Sequence, residues 1–169
     1  WTYQKKVGPG SPQILRYEQR QDISIGTELQ NSDTLIVGKT EKVLLVEGES
    51  KTWVGSNTVI KISHLASEEK GRLLLQSGKI RVKIQPNEAQ KWKFETKSTV
   101  SGIRGTEFFV SSSDSSENIC VLEGLVESTI NGINDLKIQV PAGKGVVIDQ
   151  GETPVVRDNS EFLVQQWIG

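Results

Sequence analysis

The sequence holds one cysteine, one histidine, no methionine and five prolines in 169 residues, and each scarcity removes a class of chemistry or architecture. With Cys120 alone, neither an internal disulfide nor a multi-thiolate metal site can form. Cys120 lies in the apolar run Ile119-Cys120-Val121-Leu122, so it reads as a buried, inert thiol and not as a nucleophile. His64 is the only conventional general base. It ends a strand-like run ahead of a polar stretch, which is the setting of an ordinary surface histidine. No run of about 18 apolar residues is present, so no segment of the sequence has the form of a membrane-crossing helix. No secretion signal is visible either. A surplus of positive charge is also missing: 20 basic residues face 21 acidic ones, for a formal net charge of −1. Nucleic-acid binding is therefore not expected, because phosphate neutralisation needs excess Lys and Arg. Only a local basic patch could act on an anion. The absence of methionine and the start at Trp1 imply a processed or truncated piece, whose upstream part could have held a signal or a membrane anchor.

What is present reads mostly in period two. In Lys79-Ile80-Arg81-Val82-Lys83-Ile84 the isoleucines and Val82 face one way and the cations the other, the signature of a half-buried strand. Trp53-Val54, Thr58 to Ile62, Lys91 to Thr96 and Lys137 to Val140 repeat it. Val43 to Val46, Leu73 to Leu75 and Val146 to Ile148 are continuous apolar runs, as in strands buried on both faces. Asn31-Ser32-Asp33, Gly55-Ser56-Asn57, Pro86-Asn87 and Asn131-Gly132 punctuate them as turns, and Ser111 to Ser116 reads as a polar loop tip. A unit of apolar run, polar residue and glycine recurs at Gly48, Gly78 and Gly124, each expected to be a tight turn or bend. The predicted fold is all-β: rolled or stacked short antiparallel strands, as a sandwich or a β-helix-like coil. A short C-terminal helix capped by Asn159 or Ser160 and carrying Phe162, Leu163, Gln166 and Trp167 is the one helical expectation. Residues 1–24, with Gly8-Pro9-Gly10-Ser11-Pro12, read as an arm or linker, 25–150 as the domain and 151–169 as an extension.

Catalytic constellations are hard to find. Glu47 with Glu49, and Glu68 with Glu69, are paired carboxylates without a context that would raise a pKa, and read as solvated charge. Ser32, Asp33 and Thr34 lack the spacing of a calcium loop, and Gly143-Lys144-Gly145 lacks the surroundings of a phosphate loop. No cofactor is implied. Trp92 shares a face with Phe94 and suits a core, with a ligand or partner platform as the alternative; Trp53 is similar.

One segment carries more. In Gly102-Ile103-Arg104-Gly105-Thr106-Glu107-Phe108 two glycines bracket a pair of residues ahead of a strand. An Arg104–Glu107 ion pair across that bend is expected, with Thr106 bonding the local backbone. The segment resembles the "GvRGTeF" signature of the FecR family. Flanking stretches resemble the family in order: Leu75 to Val82, Lys93 to Lys97, Cys120 to Glu127 and Val140 to Gly143, with Ser32 to Leu35 and Gly55 to Thr58 upstream. Lys97 stands where the family often has proline, and Glu47 where it often has aspartate before Gly48. The resemblance implies an all-β, non-enzymatic, extracytoplasmic module that senses or binds another envelope protein. The best-known members relay an iron-siderophore signal from an outer-membrane transporter to a sigma factor, using a cytoplasmic segment, a membrane helix and a further domain not visible here. Stand-alone exported FecR proteins look closer. Within the motif, Gly102, Arg104, Gly105, Thr106 and Glu107 are expected to be mainly structural. The alternative of a different class is a module binding peptidoglycan or another polysaccharide, with Trp53 and Trp92 as platforms.

Overall fold

The computed structural model describes residues 1–64, 71–87, 92–132, 136–149 and 151–159, with the side chains of 105 and 106 left aside. Within them the chain forms fourteen strands hydrogen-bonded into one continuous sheet. They are β1 (Thr2–Val7), β2 (Gln13–Arg16), β3 (Gln19–Asp22), β4 (Thr34–Val37), β5 (Lys42–Glu47), β6 (Ser50–Val54) and β7 (Thr58–Ser63). Then follow β8 (Gly71–Lys83), β9 (Trp92–Glu95), β10 (Thr99–Ser112), β11 (Ser116–Ile130), β12 (Leu136–Pro141), β13 (Lys144–Asp149) and β14 (Val156–Asp158). All pairings are antiparallel except that of β8 with β9. The all-β expectation holds, and the C-terminal helix falls on residues outside the described ones.

Three strands are long, and each changes neighbours partway. The first part of β8 lies between β7 and β9; from Gly78 onward its neighbours are β6 and β10. The first part of β10 pairs with β9 and the last part with β8, with register shifts between Arg104 and Phe108. The start of β11 pairs with β13, and its end, past Gly124, with β12. The result is a roll with two layers joined through shared strands. One layer runs β3-β2-β4-β7-β8-β9-β10-β11-β12, the other β1-β5-β6-β8-β10-β11-β13-β14. Strands that turn such a corner need a bend or bulge. Gly78 and Gly124 supply it with φ of 96° and 87°, a region costly for other residues. Gly48, with φ 58°, is instead the tight turn between β5 and β6.

The inner faces of both layers meet in one apolar core. Ile80, Val82 and Ile84 are at most 1% exposed, as the alternation requires. Phe94 of the first layer meets Phe108 of the second edge-on at 5.0 Å between ring centroids. Residues 1–24 are no linker: β1 pairs with β5, and β2 with β3 and β4. Trp1 and Tyr3 are buried, so the start of the chain is not a solvated tail. The glycines and prolines of 8–12 mark only the connection from β1 to β2. The loop tip is also shorter than expected, because Ser111 and Ser112 belong to β10 and Ser116 to β11.

Candidate functional site

Directly opposed residues on paired strands put their side chains on the same face. Leu44 lies opposite Trp53, Trp53 opposite Arg81, Arg81 opposite Phe109, and Phe109 opposite Cys120. This makes a straight row across β5, β6, β8, β10 and β11. Their sequence neighbours Val43, Val54, Ile80, Val82, Phe108 and Val121 point into the core, so the row lies on the outer face of the second layer.

Arg81 organises that row. Its guanidinium sits 4.8 Å from the Trp53 ring centroid and 5.5 Å from that of Phe109. A guanidinium over an aromatic face stabilises by about 0.5–2 kcal/mol, more as water is removed. The Nε of Arg81 donates to Glu107 Oε1 at 2.6 Å, and its Nη2 donates to the same oxygen. Lys83 Nζ lies 3.9 Å from Glu107 Oε2. Glu107 is 8% exposed, so its charge is held by these two cations. Beyond Phe109, Cys120 and Leu122 complete a small outer cluster. Burial pushes the Cys120 thiol up to about 11 from 9.0, so it stays protonated at neutral pH.

The expected partner of Glu107 was Arg104. Instead the register shift past Arg104 turns Glu107 onto the strand face shared with Arg81, while Arg104 is exposed and makes no ion pair among the described residues. Gly102 is half-buried, and a Cβ added there would meet nothing within 4 Å. The side chains of 105 and 106, including the expected Thr106 backbone bond, lie outside the described residues. The long-range Arg81–Glu107 pair escaped sequence reasoning because 26 residues separate the two. The available signal was that both alternate with core residues on strands of matching period.

The outer face is cationic. Lys5, Lys42, Lys51, Lys79, Arg81 and Lys83 all project from it, against Glu107 and, opposite Glu107, Glu123. Beside Trp53 it is also hollow: a pocket of ≈ 120 Å³ opens between Val7, Leu44, Trp53 and Val54, with Lys5 and Lys42 in its lining. Trp53 is half-buried here. Trp92, by contrast, is 5% exposed and packs 5.5 Å from Trp1 and 5.6 Å from the His64 ring.

A second, polar groove of ≈ 470 Å³ lies at one end of the roll, among Lys97, Ser113, Asp114, Asn131 and Asp149. Its most buried charge, Glu117, accepts from Thr96 Oγ1 and from the Ser98 N–H at 3.3 Å, and Thr96 Oγ1 meets Thr99 Oγ1 at 2.8 Å. That carboxylate fixes the turn from β9 to β10. Asp33 is similarly consumed: Arg16 donates to it through Nε at 2.8 Å and Nη2 at 2.6 Å, which also raises the arginine pKa. His64 is exposed and its backbone N–H donates to Asn31. Glu68 and Glu69 lie outside the described residues. Among the described residues no three His, Cys, Asp or Glu side chains gather as a metal site.

The FecR protein family profile matches residues 33–127, more than half of the chain. No curated protein sequence matches. Two crystal structures of a proposed anti-sigma factor from Parabacteroides distasonis ATCC 8503 superimpose with a TM-score of 0.64 at 12% identity. The superposition covers 74% of this chain and 59% of theirs, so the chain spans less than two thirds of those proteins. At that identity the likeness is one of fold.

Proposed function

The chain belongs to the FecR family, and on that premise we propose that it is a non-catalytic module of signal transduction which works outside the cytoplasm by contacting another protein of the cell envelope. The observation that carries this reading is the outer face of the second layer. It sets basic side chains around an aromatic row and an apolar hollow, in a chain whose formal net charge is −1. Local charge of one sign around an apolar centre is the anatomy of a protein-recognition patch. Of the acidic groups at the polar end and beneath β2, Glu117 and Asp33 are engaged in holding turns and strands. The fold shared with a protein described as a proposed anti-sigma factor fits a regulatory role.

The alternative of glycan binding has less to stand on. Trp92 offers no free face, and one face of Trp53 is covered by Arg81. The test is crosslinking in intact cells, followed by capture of the tagged chain from the envelope fraction. One envelope protein enriched reproducibly over background is expected. Background alone, or recovery of the chain solely from the cytoplasmic fraction, overturns the reading.

A further inference from the structure

The hollow beside Trp53 says more about what docks there. Its lining is mainly apolar: Val7, Leu44, Trp53 and Val54. Val7 is 54% exposed, so its apolar surface is open to a partner. Gly55 continues the lining, and a Cβ there would meet the Lys79 side chain at 2.8 Å. At ≈ 120 Å³ the hollow is small beside the clefts of roughly 300–1,000 Å³ that hold cofactors, and it has room for one apolar side chain.

Charge states the rest of the specification. Lys5 and Lys42 border the hollow, Lys51 stands two residues from Trp53, and none of the three has an ion-pair partner among the described residues. Arg81 and Lys83 are different, since Glu107 already compensates them. Unpaired cations around an apolar hollow call for carboxylates flanking an apolar residue. A polyanion such as nucleic acid or an anionic glycan would use the lysines and leave the hollow empty. An apolar lipid chain would need a longer slot.

The geometry of β1 suggests how such a segment lies. On its outer side, residues 26–29 hydrogen-bond along Trp1 and Tyr3: the Tyr3 N–H donates to Thr27 O at 2.9 Å and the Leu29 N–H to Trp1 O at 2.9 Å. Past the bulge between Tyr3 and Lys5 no such backbone bond continues among the described residues, and the strand edge at Lys5–Val7 borders the hollow. An exposed strand edge accepts an extended segment through its backbone.

We infer that this surface docks an extended acidic segment of a partner protein, whose apolar side chain enters the Val7–Leu44–Trp53 hollow while flanking Asp or Glu residues meet Lys5 and Lys42. The inference rests on the protein-binding reading above and specifies its surface.

The probe is a synthetic peptide of alternating glutamate and leucine. Alternating lysine–leucine and glutamate–serine peptides, heparin and anionic phosphatidylglycerol vesicles serve as comparisons, all titrated into the isotopically labelled 169-residue chain. Backbone amides of Val7, Lys42, Leu44, Trp53 and Gly55 are expected to shift with the glutamate–leucine peptide. Affinity should fall at least 10-fold in the Lys5→Glu/Lys42→Glu double variant, at least 3-fold for glutamate–serine, and steadily with added salt. The lysine–leucine peptide should not bind. The double variant should melt within a few degrees of the parent, since Lys5 is exposed, Lys42 is half-buried and neither holds an ion pair among the described residues. Shifts elsewhere, unchanged affinity in the double variant, or heparin or vesicles binding these residues while the glutamate–leucine peptide does not, each overturns the inference. Envelope crosslinking separates the two levels. A partner captured equally by parent and double variant removes this surface but leaves the protein-binding reading standing. Loss of every partner from the parent chain removes that reading itself.

Discussion

At the crossings between the layers the backbone decides. Gly78 and Gly124 take left-handed φ values, and β10 inserts an irregularity between Arg104 and Phe108, all so that one strand can serve two layers. On the outer face of the second layer, side chains decide. Trp53, Arg81 and Phe109 hold ordinary strand conformations, yet their row and its surrounding lysines distinguish this surface from a plain solvated sheet. Glu107 links the two regions. It sits where β10 bulges, and its carboxylate anchors the arginine of the outer row. We propose that the glycine-rich motif acts here, because the register shifts between Arg104 and Phe108 set the alignment from which the outer face is built.

The crossing is the most fragile of these features. A Cβ at position 78 would meet Thr58 Oγ1, and would lie 2.6 Å from Thr58 Cα and 2.7 Å from Asn57 O, backbone atoms that cannot yield. Added to a φ of 96°, this predicts that Gly78→Ala destabilises by about 3–4 kcal/mol or prevents folding, as read by urea unfolding. A loss below about 1 kcal/mol would show that the crossing has slack. Next comes the link. Glu107→Ala leaves Arg81 half-buried without its counter-ion, and a loss of about 2–3 kcal/mol is expected. Arg81→Met with Glu107→Ala should recover part of it, because the aromatic row then packs on a neutral chain. Failure of the double variant to recover stability would assign Glu107 a backbone role in place of an electrostatic one.

The thiol behind the row gives a pH-dependent test. Below pH 9 the Cys120 thiol is protonated both folded and unfolded. Between pH 9 and about 11 the unfolded chain ionises first, since burial holds the folded thiol protonated. Stability therefore falls as pH rises through that window, by about 2–3 kcal/mol for this group. Tyr3, raised by burial and then by nearby Glu41, adds a loss of the same sign at higher pH. Comparison with Cys120→Ala isolates the cysteine: the two stability curves should draw together as pH rises from 9 to 11. Parallel curves would mean that the outer cluster admits water to the thiol.

Much of this was legible in the chain. The alternation of Lys79 to Ile84 gave the core face of β8, and the apolar-polar-glycine units gave three of the positions of positive φ, Gly48, Gly78 and Gly124. Local pattern could not tell a hairpin turn at Gly48 from mid-strand bends at Gly78 and Gly124, because glycine adopts both and the neighbours decide. It also favoured Arg104 as the partner of Glu107, since proximity in sequence is all that a sequence displays. The actual partner arrives through the pairing of β10 with β8. The hollow draws on β1, β5 and β6 and has no sequence signature, and β1 itself was obscured because its one buried residue is Tyr3 and the rest, apart from Val7, are lysines and polar groups.

Arg104→Ala has the smallest expected effect and discriminates most sharply. It is the charged centre of the motif, so a reading based on the motif alone predicts a large loss. The geometry predicts otherwise: Arg104 is exposed, lies opposite Leu125, and precedes the register shift without pairing to Glu107. An exposed strand arginine without an ion pair among the described residues should change stability by less than about 0.5 kcal/mol. Urea unfolding of the variant beside Glu107→Ala measures the difference directly. A loss of similar size in both would mean that the two charges act as one unit after all. A neutral result in stability, accompanied by weakened capture of an envelope protein, would instead assign Arg104 to the contact surface of the first layer.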